Sequence, residues 1–347
     1  MPVSPNLVER LLLGRLQKGP AAILDLLSTA SLRSVTIARE YDVFEALETE
    51  PATPDELAER FDLDARGVGA LLAFLAETGY VTESGGRYEN TTLTRRWLLE
   101  STEGGMGAYF VFWDQQVLPF WNEQMGHALE TGTPEQNFYA WLSEQPNGWE
   151  HAQAAFKETA EQTAAEVVAE VDCSAGETRL LDVGGGHGLY SARFCQAYPD
   201  LEATVFDDPD ALATARETIS ETGLAGRLSV QGGDFTTDDL GDGYDVVLLF
   251  NVLHGGDDLS SLFERVHDAL DPGGRVVIMD QFDETGRMNV QPAMLRLLDL
   301  TYLGMLGGGL PDEETTREQL RAAGFETIER IDLESVRGIT LLVATAS

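Results

Sequence analysis

Two hydrophobic periodicities divide this chain. In its first half, apolar residues recur three and four apart, as in Leu24, Leu27, Leu32 and Val35, the spacing that keeps one side of a helix apolar. From Arg179 onward the pattern changes to short apolar runs alternating with helical stretches. The runs span 180–183, 203–206, 228–231, 245–250, 275–280, 326–332 and 338–345. Strands apolar on both sides belong to a mostly parallel sheet with helices on both faces, so an α/β fold with seven strands is expected. The last two runs lack a helix between them and should pair as an antiparallel hairpin.

The N-terminal region reads as helices over Leu7–Leu16 and Ala21–Leu47. Thr53-Pro54-Asp55-Glu56 then carries a cap, a first-turn proline and acids at the positive end of the helix dipole, opening a short helix from Glu56 to Phe61. Asp64 caps a second helix, Arg66 to Glu77, ending at Gly79. Tyr80–Thr82 and Arg87–Glu89 flank Ser84-Gly85-Gly86 as a hairpin. Helix, turn, helix and two-stranded wing is a winged-helix layout. Such a layout serves DNA reading or protein packing. The second helix carries one arginine, Arg66, on an otherwise apolar surface, which favours packing. Three regions are expected: 1–100, helical and winged-helix; 101–172, a helical connector rich in aromatics whose last helix runs from Trp149 to Val171; and 173–347, the sheet domain.

Composition narrows the setting. The 347 residues carry a net charge of −36, and Lys18 and Lys157 are the only lysines among 23 basic residues. An acidic, arginine-over-lysine surface with an ordinary 43% hydrophobic content suits a salt-loaded cytoplasm, where screening makes self-repulsion tolerable. The same charge argues against nucleic acid and acidic lipid as partners. Cys173 and Cys195 have no metal-ligand spacing and imply a reducing compartment, no apolar run approaches a membrane span, and the start lacks a signal-peptide layout. A soluble, cytoplasmic protein without a metal is expected.

The chemistry is concentrated at one turn. Leu180–Val183 reads as a buried strand that ends in Gly184-Gly185-Gly186-His187-Gly188, where backbone can approach a ligand closely. A helix starting near His187 would point its N-terminal amides there. Nineteen residues after Gly188, the next strand ends in Asp207, placed to hold a ribose hydroxyl pair. Leu189 occupies the position of the third dinucleotide glycine, which weakens a pyrophosphate reading. Ligands in such sheets sit beyond the carboxyl ends of the strands. The polar residues there are Asp234 with Phe235, suited to an adenine amino group and ring, the group Asn251 to His254, and Asp280. His254 is a candidate general base, with Asp280 at the neighbouring strand end to orient its imidazole.

Leu181-Asp182-Val183-Gly184-Gly185-Gly186-His187-Gly188, Phe206-Asp207-Asp208-Pro209, Gly233-Asp234-Phe235, Asn251-Val252-Leu253-His254 and Ala323-Gly324-Phe325 together resemble the class I S-adenosylmethionine-dependent small-molecule O-methyltransferases of the caffeic-acid, hydroxyneurosporene and polyketide type. The likeness spans nearly the whole chain. It implies a Rossmann-like methyltransferase sheet behind a winged-helix dimerisation domain, and a homodimer acting on a hydroxylated small molecule. Cofactor contacts would come from Gly184, Gly186, Asp207, Asp234, Phe235 and Asn251. The product would be S-adenosylhomocysteine. It further implies catalysis by His254 with Asp280, and substrate walls from Trp113, Phe156, Thr301 and Met305. Three positions depart from the family pattern: Gly255-Gly256 replaces an Asp-Trp pair, Leu310 stands where a second acid should flank the base, and Phe250 replaces a lysine found in plant members. Asp312, Glu313 and Glu314 lie near that missing acid. The alternatives are methylation of another atom, non-methyl chemistry on the same cofactor, or a ligand-sensing winged-helix regulator.

Overall fold

The computed structural model describes Val8, Leu16 and residues 22–255, 259–282 and 292–347. The expected helix Leu7–Leu16 lies outside the described residues apart from its two named members, as does Gly256. Two compact units divide between Gln115 and Gln116.

In the first unit, α1 (Ile23–Glu40) and α2 (Val43–Thr49) replace the single helix expected through Leu47. The break is at Asp42, whose φ of 53° is left-handed, a conformation a short polar side chain tolerates and that turns Val43, Phe44 and Leu47 into the core. Next, α3 (Pro54–Phe61) opens on a reciprocal cap: Glu56 N donates to Thr53 Oγ1 at 3.3 Å and Thr53 N donates to the Glu56 carboxylate at 2.7 Å. Asp64 caps α4 (Ala65–Glu77) by accepting from Gly67 N at 2.9 Å. The hairpin of β1 (Val81–Ser84) and β2 (Arg87–Asn90) follows, then α5 (Thr92–Trp97) and α6 (Gly107–Phe112). Val68, Leu72 and Leu75 of α4 are buried with Leu57 and Phe44, so the apolar face of the second helix of the winged-helix layout holds this unit together.

The second unit begins with α7 (Leu118–Thr131), α8 (Phe138–Ser143) and α9 (Gly148–Glu170). The sheet and its helices follow: β3 (Arg179–Val183), α10 (Leu189–Ala197), β4 (Glu202–Asp207), α11 (Ala213–Thr222), β5 (Leu228–Gly232), β6 (Tyr244–Phe250), α12 (Leu259–Ala269), β7 (Leu270–Asp280), α13 (Pro292–Leu306), α14 (Glu313–Ala322), β8 (Phe325–Asp332) and β9 (Thr340–Ala346). The strand order is β5-β4-β3-β6-β7-β9-β8, with β9 antiparallel to both its neighbours and β3 to β7 parallel. All seven expected strands and the final hairpin are present. One core lies on each sheet face, with Leu180, Val205, Val246 and Val277 on one and Leu181, Phe206, Val247 and Ile278 on the other. The chain runs outward from β3 to β5 and returns to β6 beside β3. This reversal opens a crevice at the carboxyl ends of β3 and β6.

The 59 acidic against 23 basic residues put a repulsive charge excess on this frame. Raising salt from 0.1 M to 1 M shortens the screening length from about 10 Å to about 3 Å. The thermal unfolding midpoint, followed by circular dichroism, should therefore rise as KCl is taken from 0.1 M to 2 M; a flat or falling midpoint would remove charge repulsion as a controlling term.

Candidate cofactor and acceptor site

The glycine turn is held from three sides. Gly184 has φ 71° and donates to Phe206 O at 2.7 Å, and a Cβ on it would sit 2.4 Å from Val252 Cγ1 at the end of β6. Gly185 lies on the Asp182 carboxyl, which a Cβ would approach to 2.5 Å. Gly186, with φ 39°, donates its N–H to Asp207 Oδ2 at 2.8 Å. Helix α10 starts after Gly188, and His187 caps it by accepting from Leu189 N through Nδ1 at 3.1 Å. Burial, then the charge of Lys157, depress His187 to about 3, so its ring is neutral and free to accept that bond.

Two buried carboxyls, Asp182 and Asp280, and the half-buried Asp207 line this end of the sheet. Asp182 accepts from Ser191 Oγ at 2.7 Å, and burial pushes it up to about 7. Asp207 is raised by burial to about 6 despite the backbone N–H groups of Asp208 and Gly186 that favour its charged form. Each Asp207 oxygen takes one backbone bond, from Gly186 to Oδ2 and from Asp208 to Oδ1, leaving further lone pairs for hydroxyl donors. Beside this turn, Phe235 Cε1 comes within 3.7 Å of where a Gly184 Cβ would stand. Asp234 is exposed and accepts from both the N and Oγ1 of Thr236, at 2.8 and 2.6 Å. It stabilises a turn over 235–237.

Around His254 the arrangement differs from the sequence expectation. Asn251, with φ 55°, donates to Met279 O at 2.8 Å and turns the chain out of β6 into a short 3-10 segment, Leu253–Gly255. His254 is buried and stacks on Tyr302 of α13 at 4.0 Å and 13° between planes. Among the described residues no hydrogen bond joins Asp280 to the imidazole. The Asp280 carboxylate accepts backbone N–H bonds from Gln281 at 2.8 Å and Leu253 at 3.4 Å, tying the end of β7 to the turn after β6. Among the described residues His254 Nδ1 has no hydrogen-bond partner, and burial alone draws the ring down to about 4. Burial raises Asp280 to about 7.

The nearby acids are engaged elsewhere. Glu313 pairs with Arg317 and Arg330, Glu314 with Arg321, and Asp312 caps α14. Asp299 accepts from Leu310 N at 3.1 Å. Of the expected wall residues, Thr301 and Met305 are buried on α13, and Thr301 Oγ1 donates to Leu297 O at 2.6 Å within the helix. Phe156 is half-buried on α9, and Trp113 belongs to the first unit.

Two residues escaped the sequence reading. Gln153 of α9 is buried, its Oε1 has no partner among the described residues, and it faces Gly186 so closely that a Cβ there would lie 2.5 Å from that oxygen. A polar residue on a buried helix face was its only signal. Tyr302 sits in an apolar helical run and gave none. The Tyr139 phenol, read only as a connector aromatic, is held at about 12 by burial and then by the charges of Asp207 and Asp280. Together the cradle a Cβ would fill, the unpartnered Gln153 oxygen and the spare lone pairs of Asp207 fit a nucleoside carrying a polar amino-acid tail.

Because Asp182 ionises near 7 when folded and near 3.8 ordinarily, the wild type loses stability as pH rises from about 4, where the unfolded chain ionises, to about 7, where the folded one does. Asp182→Asn carries no such charge. Its stability relative to wild type, from denaturant melts, should grow across that window and level off above it; a difference independent of pH would place the burden elsewhere.

Residues 119–326 match the O-methyltransferase domain family, and residues 24–100 match the O-methyltransferase dimerisation domain. The chain is 29% identical to the 3-hydroxy-5-methyl-1-naphthoate 3-O-methyltransferase of Streptomyces sahachiroi, over 87% of this chain and 88% of that one. It is 28% identical to the L-tyrosine C(3)-methyltransferase of Streptomyces lavendulae, over 92% of this chain and 91% of that one. The structure of human N-acetylserotonin methyltransferase in complex with S-adenosylmethionine shares the fold, with a TM-score of 0.81 at 21% identity and full coverage of both chains. The glycine cradle, the acid that closes it and the domain preceding them thus belong to one lineage, and the chain is a member of the O-methyltransferase family, which draws its methyl group from S-adenosylmethionine.

Proposed function

We propose that this enzyme methylates a ring hydroxyl of a small aromatic or polyketide-like molecule at the crevice between β3 and β6. The observation that carries this reading is the Gly186–Asp207 bond, which leaves a Cβ-free cradle and a carboxylate with spare lone pairs side by side, with Val252 of the segment that leads to His254 packed against Gly184. A hydroxylated isoprenoid fits the same site chemistry. The naphthoate hydroxyl in the name of the Streptomyces sahachiroi relative supports the aromatic choice.

Bound there, S-adenosylmethionine supplies a methyl group on a positively charged sulfur. Gly184 and Gly186 leave room for its methionyl part, with Asn251 at the adjoining strand end. Asp207 would accept from the ribose hydroxyls, and Phe235 and Asp234 would hold the adenine ring and its amino group. His254 receives the acceptor's proton, while Asp280 holds the turn that carries it. Phe156, Thr301 and Met305 form the acceptor wall, and alignment and exclusion of water do most of the work. Exposed apolar residues on α1, Ile23, Leu26 and Leu27, support a homodimer through the first unit. None of the described helices is long and apolar enough to cross a membrane. A cytoplasmic enzyme without nucleic-acid or membrane partners fits the charge and the two buried thiols.

Calorimetry should give one S-adenosylhomocysteine per chain, and Asp207→Ala should weaken it about 100-fold, as expected for two charged hydrogen bonds. No binding at low or high salt would sink the reading. With a weakly acidic phenol as acceptor, His254→Ala should lower kcat by about 100-fold or more while S-adenosylhomocysteine binding is retained. An unchanged rate would remove His254 as the base.

A further inference from the structure

One buried oxygen at the cofactor end lacks a donor. Gln153, on α9, is 4% exposed, and its Oε1 has no hydrogen-bond partner among the described residues. Ala152 and Ala155 beside it are fully buried, so this stretch of α9 is pressed against its neighbours. The carboxamide abuts the glycine turn with more than its tip: a Cβ on Gly186 would lie 2.5 Å from Oε1, 2.7 Å from Nε2 and 2.9 Å from Cδ. Gly186 is itself held, since its N–H is bound to Asp207 Oδ2. Side chain and cradle therefore face one another at a fixed place.

Burying a polar oxygen without a donor is costly, so such an atom at a ligand cradle points to a donor that arrives with the ligand. An amide oxygen only accepts, which restricts the donor to N–H or O–H. S-adenosylmethionine carries three kinds of donor: the adenine amino group, the ribose hydroxyls and the α-ammonium of its methionyl tail. In the arrangement proposed above, the first falls to Asp234 and the second to Asp207, whose two oxygens keep lone pairs for both hydroxyls. The ammonium remains, on the part of the cofactor that lies along Gly184 and Gly186.

We infer that Gln153 is a cofactor-binding residue whose Oε1 accepts a hydrogen bond from the α-ammonium of the methionyl tail. The inference rests on the cofactor lying along the glycine turn, and it adds how the charged end of the tail is recognised. A bond from a charged donor is stronger than one between neutral groups, so this contact selects a tail that carries an ammonium over one that lacks it.

Calorimetry on the full chain at one salt concentration compares S-adenosylhomocysteine with two analogues, one with hydrogen in place of the α-amino group and one with hydrogen in place of the carboxylate. Wild type should bind the parent at least about 10-fold more tightly than the deamino analogue. Gln153→Met, which keeps the length of the side chain and removes the acceptor, should bind the parent about 10-fold more weakly than wild type does and the deamino analogue equally well. Its loss should be as large on the decarboxy analogue as on the parent. Gln153→Glu keeps an acceptor oxygen and should retain the preference for the amino group. Without ligand, Gln153→Met should unfold at a denaturant concentration no lower than wild type, because the oxygen it removes has no partner to lose. A wild type blind to the amino group, an equal loss on the parent and the deamino analogue, a loss that vanishes with the carboxylate, or a Gln153→Met chain that is less stable or fails to fold would each overturn the assignment. Failure of wild type to bind S-adenosylhomocysteine overturns instead the cofactor placement on which it rests.

Discussion

One hydrogen bond, from Gly186 N to Asp207 Oδ2, joins the turn after β3 to the end of β4, and the cofactor end of the molecule depends on it. Gly184, Gly186 and Gly188 all have positive φ, so the turn has little conformational preference of its own and must be held by its surroundings. Asp207 holds it from one side, Asp182 lies beneath Gly185, and Val252 closes against Gly184 from β6. Each support comes from a different strand, so the cradle can form only once β3, β4 and β6 are in register.

The two ends of the crevice are determined to different degrees. At the cofactor end, buried carboxyls, backbone amides and close glycine contacts specify the turn several times over. At the acceptor end the backbone of His254 is fixed through Leu253 N and the close approach of Gly308, and its ring stacks on Tyr302. An imidazole positioned through its backbone keeps its place when wall residues change.

The sheet was legible because apolar runs of both-face burial have no other comfortable place, and Leu181, Val183 and Val247 fall where their pattern put them. The caps at Thr53 and Asp64 were legible for a similar reason: a local side chain meets a local amide. The break at Asp42 was not, since amphipathic periodicity runs straight across it and only tertiary burial of Phe44 selects the bend. In the site, Asp207 could be found from its strand end. The bond Asp280 makes to Leu253 could not, because an acid beside a histidine in the fold looks the same in sequence whether it faces the ring or the backbone. Gln153 and Tyr302 depend on how α9 and α13 settle on the sheet, and nothing within either helix marks them.

That distinction explains how the chain accommodates Leu310 where a second acid is expected. Without a carboxylate at Leu310, its amide donates to Asp299, and this bond helps seat the glycine turn that meets the carbonyl of His254. The acceptor end is thus seated through backbone contacts, from Leu253 N to Asp280 and from Leu310 N to Asp299, so a substitution at Leu310 that keeps this amide bond leaves the turn beside His254 in place.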